Sequence, residues 1–321
     1  MKSVIPSVSE GSGARVARIC SRLAHLPPRS LATLGMTLLF LLGSCAKHER
    51  SSIIVGSKNF TESVILGELL AQKLEANGCK VDRRLNMGGT FVCDTAIRSG
   101  SIDAYVEYSG TALTAILKQP SMSDRAGVDV LVRDAYAKHG LRWSPPLGFN
   151  NTFAMIVRRS SAQQIGLHTI SDLAKVAATF RPGFGYEFTE RPDGWPGLQR
   201  AYGLQFANAP RTMDLGLTYK ALASGDVDLI AGNSTDGLIA SLGLVVLDDD
   251  KHFFPPYDAV VVQRADLNAR CPGASQSLES LRNSIDDATM RRLNYEVDGK
   301  KRAVEEVVRE IVTPSSSRQS S

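Results

Sequence analysis

The segment Ala96-Ile-Arg-Ser-Gly-Ser-Ile-Asp103 returns in the second half of the chain as Ala221-Leu-Ala-Ser-Gly-Asp-Val-Asp228. Each copy reads as a helix end, a glycine stop and a strand start, so one structural unit is expected twice, in two similar lobes. A length of 321 residues exceeds the usual single core, and 43% hydrophobic with 22% charged residues describes a folded chain rather than a disordered one. Extending the alignment sets Tyr108 against Asn233 and Thr111 against Asp236, each just past a strand. In open α/β sheets ligands sit at the carboxyl ends of strands, which makes these positions the first binding candidates.

The rest of the pattern alternates strands and helices, the signature of an α/β fold with a mostly parallel sheet. Ile53-Ile-Val55 reads as a short strand, and Asn59-Phe-Thr-Glu62 reads as a capping box opening a helix whose apolar face includes Leu66, Leu69, Leu70 and Leu74. Lys80–Leu85 alternates like a strand, Gly88-Gly89-Thr90 opens a second helix, and Gly100 ends it before the strand Ile102–Tyr108. The strand Thr152–Val157 and the segment Leu247–Phe254 flank the middle region as two crossings between lobes, and Tyr257–Val262 is again strand-like. Helices are expected near Ser277–Ile285 and Arg302–Val312, with a frayed Ser-rich tail over 313–321.

The formal charge of +4 comes from the first 44 residues, where Lys2, Arg15, Arg18, Arg22 and Arg29 face Glu10 alone. Removing them leaves 32 basic and 32 acidic residues, from totals of 37 and 33. A neutral chain gives no composition-based case for nucleic acid or an anionic membrane surface, both of which need basic patches. The apolar run Leu31–Leu42 is too short to span a bilayer and reads, after its positive flank, as the core of a signal peptide over 1–44. It ends in Gly43-Ser44-Cys45, which resembles a bacterial lipobox; Cys45 is then the lipidated first residue and 45–52 a tether. With Cys20 in the leader, the odd set Cys79, Cys93 and Cys271 remains, for which a Cys79–Cys93 bridge and buried free thiols both stay open.

Enzyme signatures are scarce. The chain has no P-loop, no His-Glu-x-x-His, no Gly-x-Ser-x-Gly and no Cys-x-x-Cys, and His48, His139, His168 and His252 are scattered over apparent loops and tether. No cofactor and no metal are expected. An enzyme using the cleft would need a convergent acid/base pair, and none is legible.

Five stretches carry recognisable chemistry: Gly56-Ser-Lys-Asn-Phe-Thr-Glu62, Glu107-Tyr-Ser-Gly-Thr111, Phe149-Asn-Asn-Thr-Phe153, Glu187-Phe-Thr-Glu-Arg-Pro-Asp-Gly194 and Phe253-Phe-Pro-Pro-Tyr-Asp258. In combination and order they resemble the osmoprotectant-binding family of ABC-importer solute receptors, from about Ile53 to Val312. The resemblance implies a two-lobed periplasmic-binding-protein fold of type II, with lobe one over 53–149 and 254–312, lobe two over 150–253, and a ligand in the cleft between them. It also implies a cage of tyrosines around a trimethylammonium group, with a Lys, an Arg and a Thr on the ligand's carboxylate. Tyr108 and Tyr257 match two cage positions, while Lys58, Thr111 and Arg191 match the carboxylate set. The chemistry is coherent: a quaternary nitrogen has no N–H to donate, so aromatic faces recognise it by cation–π attraction, and a guanidinium grips a carboxylate in two-point fashion.

Two positions depart from the family pattern. Phe153 replaces a cage Tyr and keeps the ring without its hydroxyl, while Asn233 replaces another and has no ring at all. The expected function is capture of a quaternary-ammonium solute such as glycine betaine, outside the cytoplasmic membrane, for delivery to a permease driven by a separate ATPase. Carnitine, choline or ergothioneine as the ligand is the alternative, and a sensory binding domain is a further one.

Overall fold

The computed structural model describes residues 52–312. The expected leader, the expected lipidation site Cys45, the expected tether before Ser52 and the expected tail after Val312 lie outside these residues. Ten strands form two five-stranded sheets. The first contains β1 (Ile53–Gly56), β2 (Val81–Arg84), β3 (Ala104–Tyr108), β4 (Leu141–Trp143) and β10 (Ala259–Arg264), in the order β2-β1-β3-β10-β4. The second contains β5 (Phe153–Arg158), β6 (Pro182–Gly185), β7 (Arg211–Met213), β8 (Leu229–Asn233) and β9 (Leu244–Leu247), in the order β7-β6-β8-β5-β9.

The two sheets repeat one topology. In each, three neighbouring strands are parallel and the fourth in order runs antiparallel: β10 against β3 and β4, β5 against β8 and β9. The antiparallel strand is the one arriving directly from the other sheet, because a crossing segment enters at the cleft and must run away from it. The sequence echo falls on this repeat. Gly100 and Gly225 both take left-handed backbone, with φ of 73° and 81°, and stop their helices. Asp103 then binds Ile54 twice, through N to Ile54 O at 2.7 Å and Oδ2 from Ile54 N at 2.8 Å, as Asp228 binds Arg181 at 2.8 and 3.2 Å.

Period-two alternation splits the strands between two cores. In the first sheet Ile53, Val55, Ala259 and Val261 pack under the helix Thr61–Ala76 through Leu66, Leu69, Leu70 and Leu74, while Ile54, Val260 and Val262 face the other way onto Ile97, Val128 and Val132. The crossings run alongside each other as an isolated bridge between Asn150 and Asp258, with Asn151 N on Tyr257 O at 3.0 Å. Among the described residues no helix is long and apolar enough to cross a membrane.

Three expectations need correcting. The capping box does not form: Phe60 is the N-cap without a side-chain bond, Thr61 Oγ1 donates to Asp298 at 2.7 Å, and Glu62 turns inward. The cysteine pair is Cys79–Cys271, bonded across 192 residues of sequence, while Cys93 stays free and buried. Of the two readings left open, the Cys79–Cys93 bridge does not form and the buried free thiol holds for Cys93 alone, because the helix bearing it directs it into the core on the other side of the sheet. The C-terminal helices are Ala274–Glu279, Asp287–Asp298 and Val304–Val312; the middle one, capped by Asp286, was not foreseen because its polar composition hides the buried Met290, Leu293 and Asn294.

Candidate binding site

All seven residues singled out from the sequence, Lys58, Tyr108, Thr111, Phe153, Arg191, Asn233 and Tyr257, line one cavity of about 280 Å³. The topology explains why. Lys58, Tyr108 and Asn233 follow or end the parallel strands β1, β3 and β8, whereas Tyr257 and Phe153 stand at the starts of β10 and β5, which run the other way. Both arrangements bring side chains to the same edge of each sheet, where the two sheets face each other.

The two cations are buried and already engaged. Lys58 Nζ donates to Glu107 Oε1 at 2.5 Å and to Thr90 Oγ1 at 3.1 Å, leaving one of its three N–H groups, and it stands 5.2 Å from the Tyr108 ring centroid. Arg191 donates through Nε and Nη2 to Asp193 at 3.0 and 2.5 Å and through Nη2 to Thr111 Oγ1 at 3.0 Å. Its Nη1 is 3.6 Å from Glu187, and its guanidinium lies 5.0 Å from the Phe153 ring centroid. Burial works to raise Asp193, but the adjacent Arg191 guanidinium outweighs it and holds the carboxyl below its ordinary value.

Both tyrosine hydroxyls end on buried carboxylates. Tyr108 Oη donates to Glu62 Oε1 at 2.7 Å and Tyr257 Oη to Asp193 Oδ2 at 2.6 Å, which fixes the rings; burial pushes both phenols well above their ordinary values. Phe153 has no such tether. It is held edge-on by Phe188 and Tyr257, with centroids at 4.9 and 5.7 Å. Asn233 is half-buried, and its N–H donates to Asp236, whose carboxyl burial raises to about 6. With Gly232 and Asp214 it also borders an adjoining cavity of about 800 Å³.

Sequence reasoning missed two carboxylates. Glu187, after β6, reaches across to the first residue of the helix Thr90–Arg98, accepting from Thr90 N and, at 3.0 Å, from Thr90 Oγ1. Gly89 permits this, since a Cβ there would overlap Glu187 Oε1. Glu62 accepts from Tyr108, Asn151 Nδ2 at 2.8 Å, Thr235 Oγ1 at 2.5 Å and Asn294 Nδ2 at 3.1 Å. Burial pushes it up to about 7, against the pull of these donors. Both residues stood inside quoted motifs; what the sequence withheld was their direction.

Comparison with known proteins follows the same outline. Residues 51–313 match the family model described as the substrate binding domain of ABC-type glycine betaine transport systems. The ergothioneine transport permease/ergothioneine binding protein EgtU of Helicobacter pylori is 34% identical over 82% of this chain, which spans about half of that relative's length (48%). The carnitine transport binding protein OpuCC of Listeria monocytogenes is 32% identical over 84% of this chain and 90% of its own. A crystal structure of a glycine betaine/carnitine/choline ABC transporter protein superposes with a TM-score of 0.67 at 32% identity, covering 81% of this chain and 97% of the other.

Proposed function

Because the chain belongs to the family of substrate-binding domains of ABC-type glycine betaine transport systems, we propose that its cavity captures a quaternary-ammonium solute such as glycine betaine. The observation that carries this reading is the convergence of Tyr108, Tyr257 and Phe153 with Lys58, Thr111 and Arg191 on one small cavity between the two sheets. The rings hold the quaternary nitrogen. The ligand's carboxylate takes the third Lys58 N–H, the Thr111 hydroxyl proton and Arg191 Nη1, the donors that internal partners leave over. At about 280 Å³ the cavity is near the small end of ligand pockets, which run to about 300–1,000 Å³.

We assign lobe one to 53–149 and 254–312 and lobe two to 150–253, with ligand binding favouring closure about the two crossings. The closed form docks on a membrane permease whose separate ATPase supplies the energy, and the chain acts as a binding protein rather than an enzyme. It is placed outside the cytoplasmic membrane by the leader and anchored by lipid on Cys45, and the Cys79–Cys271 bond suits that oxidising compartment. Mass spectrometry of the native protein should find an acylated chain beginning at Cys45; an unmodified Cys45 removes the anchor.

A larger ligand of the same chemistry, such as carnitine or ergothioneine, is the second reading. It is favoured by Asn233, which leaves the cage open towards the adjoining cavity. Calorimetric titration of glycine betaine, choline, carnitine and ergothioneine decides between the two. Tyr108→Ala and Tyr257→Ala should each weaken the ligand that binds by roughly 0.5–2 kcal/mol, the contribution of a desolvated cation–π face. Unchanged affinity in both folded variants would end the cage assignment.

A further inference from the structure

Glu62 is 1% exposed, and among the described residues no Lys or Arg bonds to it. Its neighbours are neutral donors from four separate elements: Tyr108 at the end of β3, Asn151 in the crossing, Thr235 after β8 and Asn294 in the helix Asp287–Asp298. Asp236, another acid, acts on it electrostatically and raises it further, and the nearest buried ammonium, Lys58, stands 5.2 Å from the Tyr108 ring centroid but is bonded to Glu107. Lys58 and Arg191 each have a buried carboxylate of their own, Glu107 and Asp193. Glu62 is therefore a surplus negative charge kept in the interior, where an unpaired charge is costly unless something compensates it.

We propose that Glu62 is the counter-charge for the ligand's quaternary nitrogen, buried behind the Tyr108 ring without touching the ligand, and that it makes the cavity select a fixed positive charge over a neutral group of the same shape. The inference rests on the cage reading above and adds the residue that sets its electrostatics. Two effects act together. The carboxylate attracts the cation through a poorly screened interior, and by accepting the Tyr108 hydroxyl proton it draws electron density onto the ring face that the cation meets. Tyr257 receives less of this, because the Arg191 guanidinium neutralises the carboxylate it donates to. Raised by burial to about 7, Glu62 gives up its proton more readily when a cation binds nearby.

The test compares probes that differ only in charge, titrated into the full-length protein at pH 8: glycine betaine against 3,3-dimethylbutanoate, and choline against 3,3-dimethylbutan-1-ol. Wild type should prefer the charged member of a pair it binds. Glu62→Gln should shrink that preference by roughly tenfold, the scale of one charge acting across a ring's width at intermediate dielectric, while the carbon analogue's affinity stays put. An unchanged preference, with Tyr108→Ala still weakening the charged probe, overturns the counter-charge and leaves the cage standing. If neither charged probe binds wild type, or Tyr108→Ala has no effect, the reading of the cavity falls and the inference with it. Should Glu62→Gln fail to fold, wild type alone decides by proton release, measured at pH 7 in buffers of different ionisation enthalpy. The charged probe should release part of a proton and its carbon analogue none; equal release overturns the proposal.

Discussion

Glu187 offers the most direct test of how the two sheets are held together across the cavity. Its carboxylate takes the N–H and hydroxyl of Thr90 at a helix N-terminus, and it carries the charge that such a terminus favours. A charge-assisted hydrogen bond contributes about 1.5–3 kcal/mol when sheltered; with the Glu187 side chain 35% exposed, we discount this to about 1–2 kcal/mol. The contact spans elements of different sheets, so this stabilisation belongs only to an arrangement that brings the two sheets together, the one we propose ligand binding favours. Glu187→Ala should therefore weaken ligand binding by roughly 5- to 30-fold while leaving thermal stability nearly unchanged. Gly89→Ala provides a second route to the same loss, because the added methyl would overlap Glu187 Oε1 and push the carboxylate off Thr90. The assay is calorimetry on wild type, both single variants and the double variant, with small-angle scattering to follow closure. If the two substitutions act through one contact, the double variant binds no worse than Glu187→Ala. Additive losses, or single variants with wild-type affinity, refute the latch.

Three further outcomes follow from the geometry. Glu62, raised to about 7 from an ordinary value near 4.5, binds more protons folded than unfolded; its contribution to stability is complete below about pH 4.5 and is lost as pH rises to about 7. In urea melts across that range the stability difference between wild type and Glu62→Gln should change by about 3 kcal/mol in total, and parallel curves would contradict the raised value. Reducing Cys79–Cys271, which closes 192 residues of sequence, should lower unfolding stability by about 2–5 kcal/mol, whereas Cys93, its thiol pushed up to about 12 by burial, should resist alkylating reagents until the chain unfolds. A reductant-independent midpoint rules the bond out as a staple. Asn233→Tyr should tighten glycine betaine by roughly 0.5–2 kcal/mol and weaken carnitine or ergothioneine, and equal affinities throughout would place residue 233 outside the site.

The architecture was legible because it rests on short-range chemistry. Glycine stops, period-two strands and a repeated Ser-Gly-x-x-Asp segment are local signals, and each corresponds to a backbone event at Gly100, Asp103, Gly225 and Asp228. Pairing between distant segments left no such trace. Cys271 follows β10 and meets Cys79 only once the first sheet has formed, and the helix Asp287–Asp298 buries Asn294 to serve Glu62, a role its polar sequence does not advertise. Glu62 itself was misread for a physical reason: an acid three residues after Asn59 suits a helix N-terminus, and only the tertiary structure supplies the four donors that draw it inward.

The same division separates the walls of the cavity from its electrostatics. Position at or just beyond a strand end brings Lys58, Tyr108, Phe153, Asn233 and Tyr257 to the shared edge, and Thr111 and Arg191 join them from the helical segments that follow β3 and β6, so all seven candidates line one cavity. Which charges remain available there depends on long-range partners: Glu107 neutralises Lys58, Asp193 neutralises Arg191, and Glu62 is neutralised by neither. The repeated scaffold makes this imbalance informative. Tyr108 and Asn233 occupy corresponding strand ends, yet Tyr108 leans on Glu62 while the Asn233 N–H leans on Asp236. Both sheets thus bury a carboxylate with a raised pKa behind the edge that faces the cavity, one relayed by a tyrosine ring and the other by an amide. These two acids lie close together, since Thr235 Oγ1 donates to Glu62 and the neighbouring Asp236 acts on it electrostatically, and among the described residues neither bonds to a Lys or Arg. With both raised by burial, a cation in the cavity favours their ionised forms and so meets a negative well. A solute that must keep its positive charge at every pH, as a quaternary ammonium does, is the chemistry that such a well complements.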